Sequence, residues 1–216
     1  LGTHSFDGGL SPSYVTGYEN LSVGNVTSVT VSGLTQGVTY YYRVRATGAN
    51  TSENSNVINL TTVLTSVTWN GNAWSNTTGP DSSLEAIIEG AYTTTTNQVL
   101  AAKKITINSG SLTISPNSTV EIQNELINNL TAAAVVVESN GNLRQYNNVA
   151  NTGQITVKRN SANALRLDYT AWSSPVSGQN ALAFSPATLA NRFYDYSPAT
   201  NAYTAIIPST TDFTTG

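Results

Sequence analysis

Short pairs of apolar residues recur at regular intervals between residues 101 and 160, and this repeat constrains the fold most strongly. Turn-forming sequences separate the pairs, as at Asn108-Ser109-Gly110 and Asn140-Gly141. A period of two places one side of each segment in a core, and the turn residues end each strand after a few positions. The pairs are Ile105 and Ile107, Leu112 and Ile114, Val120 and Ile122, Val135 and Val137, and Ile155 and Val157.

This repeat predicts an all-β chain in which residues 64–160 form a β-repeat region. The region is either a β-solenoid, whose coils stack and bury one another's apolar side, or a run of hairpins. In the solenoid, asparagine side chains at equivalent turns are expected to form hydrogen-bonded ladders along the stack.

Composition excludes several classes of function. Only 10% of residues are charged and the net charge is −3, so there is no basic face for nucleic acid and no polybasic patch for a membrane. The longest apolar stretch, residues 132–137, is too short to span a bilayer. The absence of cysteine excludes thiol catalysis and cysteine zinc sites.

The polar residues are mainly Thr, Ser and Asn, which favour strands and turns over helices. A wettable β-protein of low charge is expected to be extracellular. The sequence begins at Leu1 and ends at Gly216 within its patterns, without a signal peptide, so we expect a piece of a longer chain with flanking domains.

Residues 1–63 form the first predicted region. Residues 34–46 read Leu-Thr-Gln-Gly-Val-Thr-Tyr-Tyr-Tyr-Arg-Val-Arg-Ala, in which Tyr40, Tyr42 and Val44 alternate with polar positions. This segment resembles the end of a fibronectin type III domain. The resemblance implies that Tyr40 is a structural corner tyrosine whose hydroxyl bonds nearby backbone.

Five strands are expected in this first region, near residues 1–6, 13–21, 26–32, 39–47 and 55–62. A complete fibronectin type III domain has seven, so the first two strands of the family are absent. The predicted sandwich is therefore partial, and flanking chain or strand addition from a partner would complete it.

Two local patterns begin the repeat region. Trp69-Asn-Gly-Asn-Ala-Trp74 predicts two strand ends around an Asn-Gly turn. Residues 82–85 resemble a helix capping box and Gly90 a helix stop, but β-branched residues follow and a helix here would have only two turns. We therefore favour a strand near residues 86–93 over a helix.

Residues 161–216 are rich in aromatic residues and proline and predict the start of a further β-sandwich module. Together with the Trp69-Asn-Gly segment and the Thr/Asn-rich repeats, residues 168–176, Asp-Tyr-Thr-Ala-Trp-Ser-Ser-Pro-Val, resemble large exported surface proteins of the Bacteroidetes, a group that includes type IX secretion cargo. The resemblance implies an adhesin-like architecture and assigns no active site.

No set of residues predicts catalysis. The single histidine, His4, has Ser5 and Asp7 as sequence neighbours, but adjacent strand residues face opposite sides and do not converge. The carboxylates are scattered, and no nucleotide-binding glycine loop occurs. No cofactor is expected.

Asp81 with Ser82 and Ser83, or Asp195 with Asn191, could supply part of a structural calcium site, although neither loop contains as many Asp and Asn ligands as a known calcium motif.

Aromatic residues near the C-terminal end are the best candidates for ligand contact. Trp172, Tyr194 and Tyr196 are predicted glycan contacts, with Tyr203 nearby, because sugar rings stack on exposed aromatic faces; alternatively these residues form the core of the last module. Tyr194 and Tyr196 share a face if they lie on one strand.

We therefore expect a non-catalytic structural or adhesive segment of a secreted, multi-domain bacterial cell-surface protein. One alternative is a carbohydrate-binding accessory region of a secreted polysaccharide-degrading enzyme. The other is an interaction subunit completed by strand addition from another protein chain. Expected partners are flanking domains and a surface polysaccharide or protein, with no nucleic acid and no membrane span.

Overall fold

Parallel strands wind into a three-sided β-solenoid in the middle of the chain. The computed structural model describes residues 14–163, 165 and 168–214. The solenoid strands, in chain order, are β3 (Ser66–Trp69), β4 (Glu85–Ile88), β5 (Ala91–Thr93), β6 (Val99–Ala102), β7 (Lys104–Ile107), β8 (Ser111–Ile114), β9 (Thr119–Ile122), β10 (Leu126–Asn128), β11 (Val135–Val137), β12 (Asn142–Gln145) and β13 (Thr156–Val157).

These strands form three parallel sheets, one on each side of the solenoid. The first sheet has the order β3-β4-β7-β10, the second β5-β8-β11-β13 and the third β6-β9-β12. Glu85 on β4 pairs in parallel with Lys104 on β7, one coil later. Hairpins would pair neighbouring strands antiparallel, so the solenoid prediction is confirmed and the alternative of a hairpin run is wrong.

The interior is filled by the apolar residues of the repeat. Alternate residues of each strand point inward, so Ile105 and Ile107 on β7 are fully buried while Lys104 and Thr106 are not. Leu112, Ile114, Val120 and Val135 have no exposed surface either. A single strand of four residues cannot bury its own apolar side, so each coil depends on the coils beside it.

Asparagine and glycine build the corners of the stack. Asn129 Nδ2 donates to Asn108 Oδ1 over 2.9 Å, and Asn147 Nδ2 donates to Asn124 Oδ1 over 2.9 Å, which confirms the predicted ladders. At the corner between the first and second sheets, Gly90 lies so close to the preceding coil that a Cβ atom on it would lie 2.5 Å from Gly71 Cα. Only glycine permits this approach of two backbones.

Three aromatic rings cover the N-terminal end of the stack. The predicted turn is present: Trp69 and Trp74 form an antiparallel bridge, and Asn70 Oδ1 accepts from Asn72 N and Ala73 N. Tyr92 on β5 completes the cluster, with its ring centroid 5.0 Å from that of Trp69 and 5.3 Å from that of Trp74.

The ambiguous segment after this turn is a strand, as favoured, and the helix alternative is wrong. Residues 85–88 form β4, with Ala86 and Ile88 fully buried. Asp81, before the strand, accepts hydrogen bonds from Ser83 N and Ser83 Oγ at 2.7 and 2.6 Å. These bonds, the side-chain one first, lower the pKa of the Asp81 carboxyl.

The N-terminal region has less regular structure than predicted. Among its described residues, only β1 (Thr39–Tyr42) and β2 (Ile58–Thr61) are strands, and they pair antiparallel. The strands expected at 13–21 and 26–32 are wrong for the residues described there, and the one expected at 1–6 lies outside the described residues. Val23, Val26, Val29 and Val31 remain exposed because the described chain provides no second sheet against which they could pack.

The C-terminal region contains short elements. They are the helix α1 (Ala181–Phe184), a 3-10 turn (Ala190–Arg192), and the strands β14 (Tyr194–Ser197) and β15 (Ala202–Ala205), which form an antiparallel hairpin. A second 3-10 turn, Ala132–Ala134, lies within the solenoid. A sandwich in residues 161–216 stays a prediction, since the residues described there form one two-stranded sheet. No helix in the described part of the chain is long and apolar enough to cross a bilayer.

Candidate functional site

The C-terminal hairpin presents a row of tyrosine side chains to solvent. Tyr194 and Tyr196 lie two residues apart on β14, on the same side of the strand. Tyr203 on β15 lies directly opposite Tyr196 in the register, and the two ring centroids are 5.1 Å apart. The exposed fractions of Tyr194, Tyr196 and Tyr203 are 42%, 46% and 74%. Large aromatic side chains with this exposure, side by side, are a feature of binding surfaces.

A fourth tyrosine extends this row. Tyr169 packs edge-on against Tyr194 with a centroid distance of 5.7 Å, and 64% of its surface is exposed. We name Tyr169, Tyr194, Tyr196 and Tyr203 together the tyrosine face.

Hydrogen bonds orient the rings of the tyrosine face. The Tyr196 hydroxyl bonds Asn201 Oδ1 over 3.0 Å, in the turn of the hairpin, and the Tyr194 hydroxyl donates to the Asn191 carbonyl over 3.4 Å. Asn201 has a positive φ of 49°, as suits an asparagine in a tight turn. A ring whose orientation is already fixed loses less conformational entropy when it contacts a ligand.

One positive charge adjoins the tyrosine face. Arg192 ends the 3-10 turn before β14, and its Nη1 donates to the Tyr169 hydroxyl over 3.2 Å. This hydrogen bond raises the pKa of Arg192. Asp195 lies between Tyr194 and Tyr196 on β14, so its side chain is on the opposite side of the hairpin.

Trp172, the third predicted glycan contact, packs in a different ring cluster from Tyr194 and Tyr196. Trp172 is half-buried and packs against Phe184, with ring centroids 5.1 Å apart, and Phe184 in turn packs against Phe213. These rings line a cavity of about 50 Å³ together with Val157 and Arg159 from the end of the solenoid. Trp172 was grouped with Tyr194 and Tyr196 because they are close along the chain. In the structure, Trp172 belongs to the ring cluster of Phe184 and Phe213.

Sequence reasoning missed Tyr169 and Arg192 as part of the site. Tyr169 lies far from β14 in sequence, and the contact between them depends on how the intervening loop folds. The turn residues Ser197-Pro-Ala-Thr-Asn201 between two tyrosine-containing segments are a signal from which a hairpin, and with it the pairing of Tyr196 and Tyr203, could have been predicted.

Four carboxylates of the solenoid, those of Glu85, Glu121, Glu125 and Glu138, pair with cations from neighbouring coils. Lys104 Nζ lies 3.2 Å from Glu85 Oε1 and 3.9 Å from Glu125 Oε1, so opposite charges alternate along one side of the stack. Lys158 and Glu138 form a closer pair at 2.8 Å. Among the residues that the structure describes, no three acidic, histidine or cysteine side chains gather as a metal would require. His4, Ser5 and Asp7 lie outside them.

Residues 60–216 match the family described as Domain of unknown function (DUF8693). The match covers more than half of the chain. This chain belongs to the DUF8693 family. No curated protein and no solved structure matches it.

The DUF8693 match includes the solenoid and the tyrosine face and begins within β2. Tyr40 therefore precedes it. The Tyr40 side chain is buried, and its hydroxyl accepts a hydrogen bond of 2.8 Å from Thr35 N, five residues upstream. Gln36, the residue after Thr35, accepts hydrogen bonds from Thr65 N and Ser66 N through its Oε1. Gln36 thereby connects the N-terminal region to the start of β3.

Proposed function

We propose that this chain is a non-catalytic structural and adhesive segment of a secreted, multi-domain bacterial cell-surface protein. The observation that carries the proposal is the combination of a solenoid with a filled interior and an exposed tyrosine face at its C-terminal side. The solenoid supplies reach, and the tyrosine face supplies contact with a surface.

The filled interior supports a mechanical role. Ile88, Ile105, Ile107 and Leu112 have no exposed surface, and hydrogen bonds, ion pairs and side-chain ladders join each coil to the next. Besides the small cavity near Trp172, the described residues form a shallow surface depression near Gly110 and Leu130, lined by small and neutral side chains. Neither gathers a pair of carboxylates or a nucleophile with a base, which hydrolysis would require.

The experiment separates adhesion from hydrolysis. Beads coated with the purified chain are expected to bind immobilised cell-surface polysaccharides, while incubation of the soluble chain with the same polysaccharides releases no reducing ends. Release of reducing ends above the level of a heat-denatured control would overturn the non-catalytic proposal. Failure of the beads to bind any surface would overturn the adhesive part.

A second candidate is a carbohydrate-binding accessory region of a secreted polysaccharide-degrading enzyme, favoured by the tyrosine face. Exposed tyrosine rings with fixed orientations match the C–H faces of sugar rings. On a glycan array, Tyr196→Ala is expected to weaken binding. Tyr146→Ala is the matched control, because Tyr146 on the solenoid is 45% exposed, close to the 46% of Tyr196. Equal loss in both variants would count against the tyrosine face.

A further inference from the structure

Arg192 gives the tyrosine face a charge preference that the tyrosines alone do not have. Its guanidinium makes one hydrogen bond, to the Tyr169 hydroxyl, and the remaining donors have no acceptor among the described residues. The ion pairs among the described residues join Lys104, Arg144 and Lys158 to glutamates, and Arg192 takes part in none of them. With respect to the described residues, the guanidinium therefore has donors left for an external anion.

The geometry around Arg192 suits a carboxylate attached to a sugar. A guanidinium presents parallel N–H groups that match both oxygens of a carboxylate. The Tyr169 and Tyr194 rings lie beside it, in mutual contact, and can receive the apolar side of the same or the next sugar ring. Asp195, the acidic residue of β14, is on the other side of the hairpin, so its carboxylate does not repel an anion at this position.

We infer that the tyrosine face binds an acidic polysaccharide, with a uronate carboxylate on Arg192 and neighbouring sugar rings on Tyr194, Tyr196 and Tyr203. The inference rests on the adhesive function proposed above and specifies its ligand. Tyr194 and Tyr196 follow one another along β14, about 7 Å apart on an extended strand. Successive sugar rings that contact them would therefore run along this strand.

The test compares one polymer in two forms. Affinity electrophoresis or calorimetry is run with a polyuronate and with the same polymer after reduction of its carboxyl groups to alcohols. The full chain is expected to bind the polyuronate at least about tenfold more tightly than the reduced polymer, a preference of the size expected for one charge-assisted pair. Arg192→Gln is expected to remove this preference, so that the variant binds the polyuronate and the reduced polymer with similar affinity.

Two controls identify the source of the effect. Arg45→Gln removes another exposed arginine, which bonds Asn20 in the N-terminal region, and should leave both affinities unchanged. Tyr196→Ala should weaken binding to both polymers, since stacking does not depend on the carboxylate. A sulfated neutral glycan should bind more weakly than the polyuronate, and tighter binding of the sulfated glycan would overturn the assignment to uronate.

The outcomes separate this inference from the proposed function. Equal binding of the polyuronate and the reduced polymer, or an unchanged preference in Arg192→Gln, would overturn the inference while leaving adhesion intact. Binding of neither polymer would also overturn it, and the bead assay on other surfaces would then decide whether the adhesive proposal survives.

Discussion

The solenoid and the two terminal sheets are all built from strands of at most four residues but differ in what those strands bury. On β7 of the solenoid, Ile105 and Ile107 are fully buried. All four residues of β2 and all four of β15 are exposed. A short strand buries apolar surface only when strands above and below it form a closed layer, which the coils provide and an isolated hairpin does not. The solenoid in the middle of the molecule therefore supplies stability, and the terminal sheets supply surface for contacts.

The largest expected difference between the regions is in the cost of removing an apolar side chain. Ile105→Ala leaves a cavity in the solenoid core and should lower the free energy of unfolding by about 4 kcal/mol. Leu60→Ala, on β2, removes a side chain that is 58% exposed and should cost less than about 0.5 kcal/mol. Denaturant unfolding followed by tryptophan fluorescence measures both. Similar costs at the two positions would contradict the comparison.

The glycine corner should give the next largest effect. Gly90→Ala places a Cβ against the backbone of Gly71 and should destabilise the chain by about 3 kcal/mol, because backbone cannot rotate away as a side chain can. Gly48→Ala is the control in the N-terminal region, where the nearest atom to an added Cβ is 3.9 Å away. We expect a change within about 0.5 kcal/mol there. A tolerated Gly90→Ala would show that the coils can separate at this corner.

A smaller and local effect is expected at Tyr40. Tyr40→Phe leaves Thr35 N without its acceptor and should weaken the N-terminal region by about 1 kcal/mol. Hydrogen exchange should speed up for amides of residues 35–42 and remain unchanged for amides of β7 and β8. Tyr41→Phe is the control on the same strand. Faster exchange throughout the solenoid would mean that the two regions unfold together.

The smallest effect is expected for the asparagine ladder. Asn129→Ala removes one exposed hydrogen bond to Asn108 and should cost about 0.5 kcal/mol. Asn56→Ala, an exposed asparagine before β2, should change the midpoint of thermal unfolding less than Asn129→Ala does. If the two variants had the same midpoint, the ladder would not contribute to the stability of the solenoid.

Most of the solenoid could be predicted because its signal is repeated. Pairs such as Ile105 and Ile107, followed by turns that contain asparagine, recur along the solenoid, and the same spacing brings Asn108 beside Asn129. Even the segment from 86 to 93 was predicted as strand because β-branched residues follow it, against a local helix-capping signal. Periodic burial outweighs such local signals where coils stack.

The N-terminal region was predicted less well because its apolar pattern has no described partner. Val26, Val29 and Val31 read as a strand in sequence, yet they remain exposed and irregular in the structure. Strand propensity reports how a side chain fits a half-buried sheet, and without neighbouring strands it does not specify a fold. The fibronectin type III resemblance around Tyr40 stays a prediction.

The candidate site was predicted in part for a related reason. Alternation correctly placed Tyr194 and Tyr196 on one side of a strand. The contacts of Tyr169 with Tyr194, and of Trp172 with Phe184, join segments that are distant in sequence and carry no repeat. Proximity along the chain therefore did not indicate these contacts, and a glycan contact by Trp172 stays a prediction.

The ring cluster of Trp69, Trp74 and Tyr92 limits how the solenoid can grow. A stack of parallel coils ends in strands with unpaired backbone groups, and two such ends could join head to tail into a filament. Indole and phenol rings over β3 and β5 obstruct that joining at one end. A covered end disfavours head-to-tail growth, so the length of the solenoid is expected to follow from its own number of coils.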